Sequence, residues 1–114
     1  MKKTFIIIIG LLVVSCSKNA PDLMDLAQSS LDQNEEDKAI RNLELLINKF
    51  PKDSLASLAQ YKLVNIYKNW KHDPEMVFEA LSNTVKNYPG TIQAKQAAKE
   101  ISGFPEWIIN KAET

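Results

Sequence analysis

The chain has 114 residues, with 14 Lys and Arg against 14 Asp and Glu, one His and one Cys. Zero formal charge excludes general binding to nucleic acid, which needs a basic field. A single cysteine excludes an intramolecular disulfide and lacks the partners of a metal site, and the length fits one small domain.

The N-terminus comes first. Lys2 and Lys3 precede Phe5 to Val14, an apolar run interrupted only by Gly10. A bilayer-spanning helix needs about 20 apolar residues, so this run is short for an anchor. A charged start followed by a short apolar core has the form of a secretory signal peptide. Val13-Val14-Ser15-Cys16 resembles the processing site of bacterial lipoproteins. The resemblance implies that residues 1–15 are removed and that Cys16 is acylated and becomes the first residue of the mature chain. The alternative is an uncleaved signal anchor with Cys16 as a bystander. Several acyl chains together hold a protein firmly to a membrane. Ser17, where an aspartate would imply the inner membrane, implies by resemblance the outer membrane facing the periplasm. Taking Lys2 and Lys3 away leaves 12 basic against 14 acidic side chains. Residues 16–21 are expected to be a lipidated polar tether and residues 22–114 a helical domain.

Helical periodicity dominates from there on, and no alternating strand pattern is present. Asp22, Asn34, Asp53, Asp73 and Thr91 read as N-caps. Asp73-Pro74 adds a proline suited to the first helical position. These caps predict helices over 22–33, 35–49, 53–70, 74–88 and 91–103, with a short sixth element from Pro105 to Ala112. The acidic run Glu35-Glu36-Asp37 suits a helix start, where the macrodipole favours carboxylates.

The sequence repeats itself at an offset of 38 residues. Phe50 meets Tyr88, Pro51 meets Pro89, and Asp53 meets Thr91. Ala56, Ala59 and Leu63 meet Ala94, Ala97 and Ile101, while Ile40, Leu43 and Ile47 meet Phe78, Leu81 and Val85. A period of this size with two helices per unit is the mark of an α-solenoid. Leu23, Leu26, Ala27, Ala39, Leu43, Leu46 and Pro51 stand at the spacing of a tetratricopeptide repeat (TPR). Leu63, Val64, Tyr67, Val77, Leu81 and Pro89 form a second unit, four residues longer. Val64 and Val77 stand where that family prefers small residues and are expected to push paired helices apart. The segment "FPKDSLASLAQYKLVNIY" resembles the repeats of outer-membrane assembly lipoproteins and of the periplasmic accessory protein of the Tol-Pal system. The resemblance implies an all-α fold: a short solenoid of about two and a half TPR-like units with a C-terminal capping helix.

Few residues are candidates for chemistry. His72 lies in a turn, where a lone histidine is usually solvated. Lys62, Lys68, Lys71 and Lys86 read as ordinary surface lysines. No catalytic triad, paired carboxylate or phosphate loop is present, so no catalytic residue, cofactor or metal is expected. The resemblance implies a binding groove lined by the first helix of each unit: Met24 and Gln28, then Leu58, Tyr61, Asn65 and Lys68, then Gln96 and Lys99. The function expected from it is a non-enzymatic, membrane-tethered interaction module. Its partner would be an envelope protein or peptide segment, and its place outer-membrane or cell-envelope assembly. The alternative is a self-associating structural subunit of a larger envelope or secretion complex. Phe104, Trp107 and Ile108 share a stripe expected to cover Ile92, Ala97 and Ile101, with a partner-docking patch as the other reading.

Overall fold

The computed structural model describes residues 18–113. Cys16, Ser17 and the apolar run lie outside the described residues. Among the described residues all regular structure is helical, in six elements: α1 (Ala20–Asp32), α2 (Glu36–Lys49), α3 (Ser54–Asn69), α4 (Pro74–Asn87), α5 (Ile92–Ile101) and α6 (Glu106–Glu113). None of these helices is long and apolar enough to cross a membrane.

The caps explain most of the boundaries. Asp53, Asp73 and Thr91 act as predicted: their side chains accept from the backbone amides of Leu55, Met76 and Ala94 at 2.9, 3.2 and 3.1 Å. Two expectations are corrected. The first helix starts at Ala20, because Asn19 is its cap and Asp22 its third residue, the two forming a reciprocal capping box. Pro21 is tolerated in this first turn, whose amides have no helical partner. Asn34 does not cap α2. It sits at φ +60°, in the left-handed region, and ends the turn after α1. Glu35 holds the cap position of α2 without a side-chain hydrogen bond, so α2 relies on Glu36 and Asp37 in its first turn. His72, in the turn two residues past the Trp70 cap of α3, is also left-handed, at φ +52°.

Each helix packs on the next along α1–α5, and α1 also meets α3, as α3 meets α5. The core has two parts that share α3. Leu23 and Ala27 of α1, Ala39, Leu43 and Leu46 of α2, and Ala56, Ala59, Leu63 and Ile66 of α3 form the first. Val64 of α3, Val77, Ala80 and Leu81 of α4, and Ala97 of α5 form the second. Tyr67 packs against both. Val64 and Val77 are thus accommodated together in one buried cluster between α3 and α4.

The internal repeat is a repeat of structure. Phe50 and Tyr88 end α2 and α4 with nearly the same backbone, φ −128°, ψ 56° and φ −131°, ψ 52°. Asp53 donates its amide to the Phe50 carbonyl at 3.1 Å, and Thr91 donates to the Tyr88 carbonyl at 3.3 Å. Ala59 and Ala97 are fully buried, as are Leu43 and Leu81. The turns differ at one position: Gly90 takes φ +86°, where Lys52 takes no positive φ. Pro89 followed by this glycine is the arrangement of a type II turn, which requires the left-handed region at its third residue.

The C-terminal helix departs from expectation. Helix α6 packs on α4, with no close backbone approach to α5. Ile108 is buried, and Phe104 stacks edge-on against Phe78 at 5.4 Å. Trp107 is 59% exposed and Ile92 is 79% exposed, so the tryptophan does not cover α5. Phe104, just before α6, and Ile108, four positions on, take the face towards α4, and Trp107 turns outward.

Candidate interaction face along α1, α3 and α5

The odd-numbered helices lie side by side, and the residues expected to line a groove fall on them. Met24 is half-buried and packs against the first core cluster. Gln28 is exposed; its amide donates to Asp32 Oδ1 at 3.1 Å, and its oxygen accepts from Lys62 Nζ at 3.5 Å, tying α1 to α3. Leu58, Asn65 and Lys99 are exposed.

Tyr61, Lys68 and Gln96 are brought together around a residue that sequence reasoning did not single out, Glu100. The Tyr61 hydroxyl donates to Glu100 Oε2. Lys68 Nζ donates to Glu100 Oε1 at 2.6 Å. Gln96 hydrogen-bonds within the same group. One turn nearer the N-terminus of α5, Ser57 Oγ donates to Gln93 Oε1 at 3.3 Å. The α3–α5 seam is therefore a polar ladder. The signal that could have revealed Glu100 is its place one turn beyond Gln96 on α5, opposite two donors spaced seven apart on α3.

The electrostatics follow from this geometry. Burial is the largest influence on Glu100 and opposes its charge. The hydrogen bonds from Lys68 and Tyr61, with the lysine's positive charge, outweigh it and hold the carboxyl below the usual 4.5. Burial, then the Glu100 hydrogen bond and charge, push the Tyr61 phenol up to about 12. A lowered carboxyl stabilises the fold above its unfolded value, and this contribution is lost as pH falls through the folded value. A raised phenol stabilises the fold below pH 10, and this is lost as pH rises towards about 12. In an ultraviolet titration of Glu100→Gln, Tyr61 is expected to ionise at lower pH than in the parent. The return is only partial, because burial is the greater cause and remains. An unchanged Tyr61 titration would show that the tie is absent in solution.

Three of the four lysines expected to be merely solvated form ties between helices. Besides Lys62 and Lys68, Lys71 reaches from the end of α3 to Asp37 Oδ1 at 2.5 Å, at the start of α2. Its hydrogen bond, then its charge, lower the Asp37 carboxyl. Both groups are solvated, so the pair guides orientation more than it adds stability. His72 is exposed beside it.

On this face Tyr61 and Lys68 of α3 and Gln96 of α5 are engaged around Glu100, while Leu58, Asn65 and Lys99 are exposed and make no side-chain tie among the described residues. Such a surface offers one apolar side chain, one amide and one cation to a partner. Comparison with protein-family models, with curated proteins and with solved structures finds no match.

Proposed function

We propose that this chain is a lipid-anchored envelope protein whose TPR-like solenoid is a non-enzymatic interaction module. The single observation that carries the solenoid reading is the recurrence, 38 residues apart, of an aromatic-Pro turn leading into a capped helix, with matching backbone angles and buried alanines and leucines. Two further features support it. Odd helices are drawn together along one face, as a TPR-like array requires for a shared groove. Their outer side chains include exposed Leu58, an apolar residue that the fold does not bury.

In this reading Cys16 carries the lipid, and α1 begins four residues after it, at Ala20. The outer membrane, facing the periplasm, is the proposed location. A partner polypeptide contacts Leu58, Asn65 and Lys99, while Tyr61, Lys68 and Gln96 hold α3 and α5 at fixed spacing beneath it. Met24 and Gln28 extend the face on to α1.

The anchor is tested by Cys16→Ser in cells supplied with a labelled fatty acid. The parent chain is expected to take up label and to stay with membranes after alkaline washing. The variant is expected to take up none and to retain residues 1–15. A variant that is cleaved normally and remains on membranes would refute the lipid anchor.

A further inference from the structure

On the opposite side of the molecule the even helices splay. Helices α2 and α4 make no close backbone approach, although both pack on α3. The space between them is a cleft of about 260 Å³ with α3 as its floor. We propose that this cleft is a second docking site, which takes a short extended peptide segment bearing lysine or arginine. The proposal goes beyond the reading above and needs neither the lipid nor the α1/α3/α5 face.

Charge complementarity identifies the occupant. Glu44 on one wall and Glu79 on the other line the cleft, and among the described residues no lysine or arginine does. Between them Tyr67 feels both: burial first, then the charges of Glu44, Glu79 and Asp73, raise its phenol. A cation entering the cleft meets two carboxylates without having to displace a basic side chain from its lining.

The remaining lining suits a peptide better than a bare ion. Asn48 stands on the α2 wall, and Asn83 and Asn87 on the α4 wall. A side-chain amide offers both a donor and an acceptor, the complement of a backbone peptide group. The floor is fixed. Gln60, buried on α3, donates its amide to the Ala80 carbonyl at 3.4 Å, bridging α3 and α4. Leu63 and Ile47 add apolar surface for the stems of long basic side chains. Along α4 the lining runs from Met76 to Asn87, about 16 Å at 1.5 Å per residue. That length accommodates about five extended residues.

The test uses the full chain in detergent solution and two fluorescein-labelled pentapeptides, one alternating lysine with alanine and one alternating glutamate with alanine. Anisotropy is expected to show saturable binding of the lysine peptide, weakened by added salt, and none of the glutamate peptide. Glu44→Gln with Glu79→Gln is expected to weaken binding about tenfold or more. Asp25→Asn with Glu106→Gln makes the same change in net charge on exposed residues outside the cleft and should leave binding unchanged. Leu58→Ala with Asn65→Ala should also leave it unchanged. Circular dichroism on every variant separates lost binding from lost folding. The proposal is overturned if the lysine peptide fails to saturate, or if the folded cleft variant binds it like the parent. It is equally overturned if either control pair weakens binding as much as the cleft pair.

Discussion

Leu43→Ala and Leu81→Ala are each expected to lower the unfolding free energy by about 2–5 kcal/mol. Both side chains are fully buried, at equivalent positions of the repeat, one in each part of the core. Truncation removes three carbons, leaving a methyl group and a void that close neighbours fill only in part. Domains of this size have about 5–15 kcal/mol in total. Either change therefore removes a large share and should shift the melting temperature by about 10 °C or more. Leu45→Ala is the control, because Leu45 on the same helix as Leu43 is 41% exposed. Urea unfolding measures all three. A Leu45 effect equal to that of Leu43 would contradict the assigned face of α2.

Val64→Asp has the larger expected effect. Val64 is fully inaccessible among Val77, Ala80, Leu81 and Ala97. A carboxylate there has neither water nor a cation, and burying an unpaired charge costs several kcal/mol or forces the group to stay protonated. At neutral pH the variant is expected to be unfolded or nearly so. Its folded-state pKa would be raised, so stability is greatest below the ordinary carboxylate range and is lost as pH rises through the raised value. Partial recovery of helical signal at pH 4 is the diagnostic, read by circular dichroism. Val64→Ala, which removes volume without charge, should fold and lose only about 1–3 kcal/mol. A Val64→Asp protein that melts like the parent at pH 7 would mean that α3 does not turn this side towards α4.

These core assignments were legible in the sequence. Helical spacing of Leu43, Leu46, Leu63 and Leu81, and the match at an offset of 38, are enough to place the buried faces. The caps at Asp53, Asp73 and Thr91 were legible for the same reason, each being a short polar residue directly before an apolar period. Asn19 was missed as the cap of α1 because Asp22, three residues on, is an equally good cap type, and only backbone geometry shows that the two act as a pair. Asn34 was misread because asparagine serves equally as a helix start and as a left-handed stop. The packing of α6 was not legible. Periodicity places Phe104, Trp107 and Ile108 on one stripe but does not say which helix receives it, nor that only Phe104 and Ile108 pack towards α4 while Trp107 turns outward. Glu100 was missed for a related reason: its partners lie 32 and 39 residues away, beyond any local pattern. The Asn and Glu residues of the α2/α4 cleft each resemble solvated helix surface until the splay of those helices brings them to one place.

The central claim, that the exposed part of the α1/α3/α5 face holds a separate envelope polypeptide, is tested most directly by site-specific photo-crosslinking in living cells. A photoreactive amino acid is placed in turn at Leu58, at Asn65 and at Lys38, an exposed residue on α2 away from this face. The account predicts one discrete heavier adduct, of the same mass from Leu58 and Asn65 and absent from Lys38. Adducts from all three positions alike, or adducts only at the mass of two copies of this chain, would contradict it, the latter pointing to a self-associating structural subunit instead.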